Sequence, residues 1–204
     1  MRKSSGEADL RDFIRVMRDA DEVIDVTEPV TEEYQAPKMA AATDKLLYFH
    51  DLRGERAVMN VTATRRSLSL ALSIPESETV QKLSLASYNG EVIDDGTLSF
   101  SEVDLRRIPV MHHFPLDAGR YITSGIVFSS YDGVTNASIH RMLVHDEKSV
   151  VARLVEGRHT YALHQKALEA GERLPVAVVI GVHPAVTFAS CTRVPKGKEL
   201  IYAA

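Results

Sequence analysis

The chain has 204 residues, of which 45% are hydrophobic and 25% are charged, and its formal net charge is −4. This composition excludes a disordered chain, and the mild acidity gives no electrostatic reason to expect nucleic acid. A single cysteine excludes a disulfide framework and a multi-cysteine zinc site. No apolar run approaches the ~20 residues that span a bilayer, and the polar start lacks a signal-peptide core. We therefore expect a cytoplasmic globular protein without membrane partners, formed by one large domain or two small ones.

The first half of the chain has the pattern of a small α/β domain. Apolar residues recur at helical spacing in the first segment, at Leu10, Phe13, Ile14 and Met17. Pro75 separates two further helical patterns. In chain order we predict a helix near 10–20, strands at 23–26, 46–50 and 57–61, and helices at 65–74 and 76–87.

A connection follows from about 89 to 113. It contains the turn signals Asn89-Gly90 and Asp94-Asp95-Gly96, and a short amphipathic piece at 100–108. We assign 1–104 to the N-terminal α/β domain with this connection, and 105–204 to a second domain.

The second half is β-rich. Asp132-Gly133 is typical of a hairpin turn, and Gly171 stands where a helix would end. The sequence has no dinucleotide-binding fingerprint and no phosphate-binding loop after a strand. We expect an antiparallel or mixed β-domain with strands at 121–129, 137–144, 150–155 and 175–182 and a helix inserted at 159–170.

Arg141 is the first candidate for a chemical role. On a strand it would share a face with Ala137, Ile139 and Leu143, because side chains alternate. The usual exposure of arginine favours a side chain that reaches water or pairs with a carboxylate. The alternative is an arginine that grips a phosphate, a carboxylate or a cofactor carbonyl in a pocket.

Three further residues could form a metal site. His159 stands at the start of a predicted helix, and Glu199 follows the Pro-Lys-Gly turn that starts at Pro195. Individually, a packed histidine and a surface carboxylate are the commoner interpretations. Together with Asn136 they would supply an imidazole and two oxygen ligands, which suits Mg²⁺ or Mn²⁺ better than zinc. Spacing alone does not show that they converge. We interpret the lone Cys191 as a packed or an incidental residue rather than a nucleophile.

Several ordered blocks resemble one known family. Two short ones stand near the start, Asp9-Leu-Arg-Asp-Phe13 and Glu28-Pro-Val30, and the others are Asp117-Ala-Gly-Arg-Tyr-Ile-Thr-Ser-Gly-Ile126, Thr135-Asn-Ala-Ser-Ile-His-Arg141, Arg158-His-Thr-Tyr161, Leu174-Pro-Val-Ala-Val-Val-Ile-Gly-Val-His-Pro184 and Pro195-Lys-Gly-Lys-Glu199. In these blocks the sequence resembles the UbiD family of decarboxylases over nearly the whole chain. The blocks that start at Thr135 and Pro195 are most similar to the archaeal branch of the family, which is associated with trans-anhydromevalonate phosphate and isoprenoid biosynthesis.

The resemblance implies an α+β fold, in which the N-terminal α/β domain precedes part of a split β-barrel of the flavin-reductase type. It also implies prenylated FMN, a divalent metal (Mn²⁺ or Mg²⁺), K⁺ and a small unsaturated carboxylic acid as substrate. By family motif, Asn136, His159 and Glu199 resemble the metal ligands, and Arg141 the catalytic arginine. The implied cofactor contacts are Asn136, Ser138, Ile139, Arg141, Arg158 and His159, with Ser190 and Cys191 near the K⁺ loop.

The chain departs from the family in one respect. Both glutamates of the family's catalytic Glu-Arg-Glu set, the rest of the barrel and the oligomerisation domain would lie beyond residue 204. Three explanations stay open: a small subunit of a split, oligomeric enzyme whose second chain carries the C-terminal half, a truncated product, or a flavin- or phosphate-binding module without activity. A structural protein with a vestigial pocket is a weaker hypothesis.

Overall fold

A computed structural model describes residues 9–92, 96 and 99–204. Its N-terminal unit contains a three-stranded sheet in which β1 runs parallel to β2 and β2 antiparallel to β3. The elements are α1 (Leu10–Asp19), β1 (Val23–Val26), α2 (Gln35–Ala41), β2 (Leu46–Leu52), β3 (Glu55–Met59), α3 (Arg65–Leu72) and α4 (Thr79–Leu85). None of the helices in the described ranges is long and apolar enough to cross a membrane.

Helix α1 forms where the apolar spacing predicts it. The Asp9 side chain accepts a hydrogen bond from the backbone N–H of Asp12 at 2.8 Å, and this cap fixes the first turn. The helix buries Phe13, Ile14 and Met17 against Leu46 of β2. This apolar stripe therefore joins the first helix to the sheet.

Helix α2 is absent from our sequence prediction. It is only seven residues long, and its apolar content is mostly alanine, so it has no periodic signal. It packs Ala36 and Ala40 against Phe49 in a second core cluster. Its end is fixed by Asn60, whose amide donates to the carbonyls of Ala40 and Thr43 at 2.8 Å each.

The second half forms two three-stranded antiparallel sheets, with the orders β6-β5-β9 and β4-β7-β8. The predicted mixture of helix and strand is confirmed. The elements are β4 (Tyr121–Ile122), β5 (Ile126–Tyr131), β6 (Val134–Ile139), β7 (Met142–Val144), β8 (Val150–Ala152), α5 (His159–Glu169), β9 (Val176–Val179), α6 (Pro184–Cys191) and α7 (Glu199–Ala203).

Two predicted strands are each divided between the two sheets. The segment 121–129 breaks at Gly125, where an added Cβ would lie 2.8 Å from the Cε of Met142. The segment 137–144 breaks at His140-Arg141, so β6 and β7 belong to different sheets. The prediction that Arg141 lies on a strand beside Ala137 and Ile139 is therefore wrong.

Two of the predicted turns are confirmed, whereas Asn89-Gly90 does not form the turn that we predicted. Asp132 and Gly133 connect β5 to β6 with positive φ angles of 52° and 70°, which is the geometry of a tight hairpin. Gly171 has a φ of 71° just after α5, as a helix-ending glycine requires. The turn predicted at Asp94-Asp95 lies outside the described residues.

Candidate functional site

One cavity of about 880 Å³ lies where β6, α5, α6 and α7 meet. Its wall is formed by the end of β6, the break before β7, the first residues of α5 and the segment from Ser190 to Glu199. The residues predicted from sequence all line it, although they come from distant parts of the chain: Asn136, Ser138, Ile139, Arg141, Arg158, His159, Ser190, Cys191 and Glu199. The structure thus provides the convergence that spacing could not show.

A buried polar network lies under one wall of the cavity. Asn136 and Ser138 alternate along β6 and therefore share a face, and His140 follows directly after the strand. The amide nitrogen of Asn136 donates to the hydroxyl oxygens of Ser138 at 3.1 Å and Thr160 at 2.9 Å. The Nε2 atom of His140 lies 2.9 and 3.0 Å from the same two oxygens. These hydrogen bonds therefore connect the end of β6 to the first turn of α5.

Sequence reasoning did not single out two members of this network. His140 and Thr160 are 8% and 2% exposed, so their polar groups need partners inside the protein. The signal was available, because Asn136, Ser138 and His140 follow the period of two that a strand imposes. Thr160 had no comparable signal, since its partners Asn136 and His140 are 24 and 20 positions away.

His159 and Glu199 form the second cluster of the site. His159 is the first residue of α5 and Glu199 the first residue of α7, and the Nδ1 atom lies 3.1 Å from the carboxylate Oε1. The Glu199 side chain is 6% exposed, and a carboxylate so well buried requires a positive or hydrogen-bonding partner. Two ligands placed at right angles about 2.1 Å from one octahedral ion lie about 3.0 Å apart. The observed separation therefore suits a shared cation as well as a hydrogen bond.

The available donor atoms fit a hard divalent cation. The amide nitrogen of Asn136 is engaged in the network, which leaves its oxygen as the possible ligand. That oxygen, the His159 imidazole and the Glu199 carboxylate form a set with two oxygens and one nitrogen. Among the described residues, no group of three His, Cys, Asp or Glu side chains could hold a metal ion. The set proposed here has only two such side chains, since its third donor is the amide of Asn136.

Four arginines line the same cavity, at positions 141, 153, 158 and 193. The Arg141 guanidinium lies 5.3 Å from the centre of the Tyr121 ring, a cation–π contact that orients the group without neutralising it. In the part of the chain that the structure describes, no carboxylate pairs with any of the four. Among the described residues of the lining, Glu199 is the only acid. The cavity is therefore strongly positive.

Ser190 and Cys191 point their polar atoms at their own helix. The Ser190 hydroxyl donates to the carbonyl of Val186 at 2.7 Å, and the Cys191 thiol to that of Phe188 at 3.2 Å. Partial burial also raises the pKa of the Cys191 thiol. A protonated, hydrogen-bonded thiol is a poor nucleophile, which agrees with the interpretation that Cys191 is not a nucleophile, although the residue is exposed rather than packed.

Comparison with known proteins identifies the family. Residues 14–86 match the N-terminal domain of the 3-octaprenyl-4-hydroxybenzoate carboxy-lyase (UbiD) family, and residues 88–204 match its Rift-related domain. The chain belongs to the UbiD family. The two matches meet near residue 87, whereas our predicted boundary follows residue 104.

Curated UbiD-family relatives resemble nearly the whole chain. It is 43% identical over 199 residues to an anhydromevalonate phosphate decarboxylase of Methanosarcina mazei, covering 95% of this chain and 47% of the relative. It is 44% identical over 159 residues to the Archaeoglobus fulgidus protein of the same name, covering 76% of this chain and 37% of the relative. The chain thus spans about half the length of the curated relatives that it matches, or less.

Solved structures of UbiD-class enzymes share the fold. An evolved dimeric form of HmfF from Pelotomaculum thermopropionicum, in complex with prFMN, superimposes with a TM-score of 0.87 at 28% identity. The match covers 97% of this chain and 50% of that one. HmfF in complex with FMN gives a TM-score of 0.86 at 28% identity, with coverage of 95% and 47%.

Proposed function

We propose that this chain is the cofactor-binding portion of a UbiD-type decarboxylase, which uses prenylated FMN to decarboxylate an α,β-unsaturated acid. The observation that carries the proposal is the convergence of Asn136, Arg141, His159 and Glu199 on one cavity. In a member of this family, that cavity is where a flavin phosphate and its metal would be held.

Three residues would hold the divalent cation. Asn136, His159 and Glu199 present the donor atoms that Mn²⁺ or Mg²⁺ prefers, and the ion would neutralise the flavin phosphate. A K⁺ site beside Ser190 and Cys191 is part of the same proposal, with backbone oxygens as the donors, because both side chains bond within their helix.

Arg141 supplies the electrostatic part of the chemistry. When bound, prenylated flavin provides the electron sink that loss of CO₂ from a vinylic carbon requires. Tyr121 holds the Arg141 guanidinium over its ring, and no carboxylate of the described residues neutralises it. A cation fixed in this way stabilises negative charge that develops beside it.

The charge of the cavity favours a phosphorylated substrate. Four arginines face one glutamate, which leaves three uncompensated positive charges. The flavin phosphate and a divalent cation would balance each other. A substrate with one carboxylate and one phosphate monoester carries about three negative charges at neutral pH. Such a substrate would neutralise the three uncompensated arginine charges. We infer a phosphorylated unsaturated acid such as anhydromevalonate phosphate, whose name the relatives carry.

A second chain, or the remaining half of a longer one, would complete the site. Among the described residues that line the cavity, Glu199 is the only carboxylic acid, and in this proposal it binds the metal, so a glutamic acid that returns the proton would come from that second part. β9 pairs only with β5 among the described strands, and all four of its residues are exposed. We propose that the missing half adds to this edge, completes a split β-barrel and supplies the glutamates and the contacts for oligomerisation.

The absence of a second carboxylic acid from the cavity lining, as far as the structure describes it, also favours a second candidate function. A chain that stays without this group would bind flavin and phosphate ligands without turning them over. It would give flavin absorbance changes on binding but release no CO₂.

Binding of FMN and Mn²⁺ by the purified chain tests the site directly. We expect Mn²⁺ to tighten FMN binding, measured by quenching of flavin fluorescence. Glu199→Gln should weaken Mn²⁺ binding by about 10-fold or more, because it removes a charged ligand. Glu169→Gln, at an exposed position on α5, is the matched control. Equal Mn²⁺ affinities in the Glu199→Gln variant and the unaltered chain would refute the proposed metal site.

A further inference from the structure

We propose that His140 is a positioning residue that determines which atom of the Asn136 side-chain amide faces the cavity. The inference rests on the proposed function, since it explains how Asn136 is kept ready to act as a metal ligand. It follows from the hydrogen-bond directions in the buried network beneath the cavity.

The first step fixes the protons of the imidazole ring. Nδ1 of His140 lies 3.0 Å from the backbone carbonyl oxygen of Arg153. A carbonyl can only accept, so Nδ1 carries a proton and donates it. In a neutral ring, Nε2 is then an acceptor.

The second step fixes the protons of two hydroxyl groups. Nε2 of His140, Oγ of Ser138 and Oγ1 of Thr160 form a triangle with sides of 2.8 to 3.0 Å. Since Nε2 accepts, one hydroxyl donates its proton to Nε2 and the other donates to the first hydroxyl. Both hydroxyl protons are therefore engaged in hydrogen bonds within the triangle.

The third step fixes the amide. Asn136 lies against both hydroxyl oxygens, at 2.9 and 3.1 Å. Those oxygens have no proton left to donate, so they accept from the NH₂ group of the amide. Asn136 and Thr160 are 4% and 2% exposed, so water does not replace these bonds. The amide oxygen is left for the cavity, where a cation needs an oxygen.

Removing the acceptor of His140 would release this constraint. One hydroxyl proton would become free and could be donated to the side-chain oxygen of Asn136. The Asn136 amide group could then flip, which exchanges the positions of its oxygen and nitrogen. Its NH₂ group would then face the cavity, and an amide nitrogen does not bind a hard cation.

The test is Mn²⁺ affinity of the full chain, measured by titration calorimetry in the presence of FMN. His140→Phe keeps a flat ring but removes the acceptor, and we expect Mn²⁺ to bind about 10- to 100-fold more weakly. His140→Gln offers an acceptor at the position of Nε2 and should restore affinity to within about threefold. His145→Phe makes the same change at an exposed histidine outside the cavity and should have no effect.

The outcomes separate this inference from the proposed function. If Glu199→Gln loses Mn²⁺ binding but His140→Phe does not, the metal site stands and the role of His140 is refuted. If neither change affects Mn²⁺, both proposals fall. A merely structural role for His140 predicts that Phe and Gln behave alike, which would also refute the inference.

A second test uses the unaltered chain, so it remains possible if the His140→Phe variant does not fold. Side-chain amide signals in a ¹⁵N–¹H NMR spectrum report hydrogen bonding of the NH₂ group directly. We expect both Asn136 amide protons to be protected from exchange with water, before and after saturation with Mg²⁺. Rapid exchange of these protons would overturn the proposal.

Discussion

Asp25 shows how a single residue of the N-terminal unit couples folding to pH. Arg18 donates two hydrogen bonds to this carboxylate, one of them at 2.6 Å, and Nε2 of His50 lies 2.7 Å from it. These contacts, with Arg18 first, lower the pKa of Asp25 from 3.8 to about 2. Because the folded state holds the proton less tightly, the ion pair stabilises the fold above about pH 4. That contribution is lost as the pH falls through about 2.

Asp25→Asn tests this coupling. We expect the free energy of unfolding at pH 7 to fall by at most about 1 kcal/mol, since the side chain is 35% exposed and solvent screens the pair. The variant should also lose less stability than the unaltered chain between pH 4 and pH 2, in urea titrations at each pH. Asp19→Asn, at an exposed position, serves as the control. Parallel stability curves for Asp25→Asn and the unaltered chain would contradict this assignment.

At the level of elements, the position of α7 sets the position of Glu199. The helix is held from the N-terminal half, because the Tyr202 hydroxyl donates to the carbonyl of Leu83 at 3.0 Å and the Tyr202 ring lies 5.5 Å from that of Tyr88. Gly90 passes so close that an added Cβ would lie 2.6 Å from the carbonyl oxygen of Ile201. Backbone cannot yield as a flexible side chain can, so a methyl group here must displace α7.

We therefore predict that Gly90→Ala affects both folding and the distant metal site. The free energy of unfolding should fall by about 1 to 3 kcal/mol, and Mn²⁺ affinity should fall with it as Glu199 shifts. Gly96→Ala is the matched control, since no atom of the described residues lies within 4 Å of the corresponding Cβ. Identical stability and Mn²⁺ affinity in the two variants would show that Gly90 does not position α7.

The sequence predicts elements where one periodic signal dominates, as in α1, α3 and the β5–β6 hairpin. It fails where elements are short. Helix α6 has Pro184 at its first turn, which is a recognisable signal, but its N-cap is His183, which is not among the usual capping residues, and its apolar run has no helical period. The strand breaks at Gly125 and at His140-Arg141 depend on which sheet each half joins. That choice is made by tertiary packing, which local pattern does not encode.

Across the whole molecule, the site is assembled from segments more than 60 residues apart. The family motifs predicted the members of the site. Residue spacing alone could not have predicted that Asn136 and Glu199 line the same cavity. The period of two links His140 to Asn136 and Ser138 in the sequence, whereas the part of Thr160 in the network became visible only in three dimensions. Among the described residues that line the positive cavity, Glu199 is the only acid.

Decarboxylation by a complemented complex tests the central claim most directly. The chain would be loaded with prenylated FMN and Mn²⁺, mixed with the C-terminal half of the Methanosarcina mazei relative as a separate chain, and assayed for CO₂ release from anhydromevalonate phosphate. We predict turnover only when both chains are present, and a loss of about 100-fold or more with Arg141→Ala. Flavin binding without CO₂ release, or full activity of Arg141→Ala, would contradict the account.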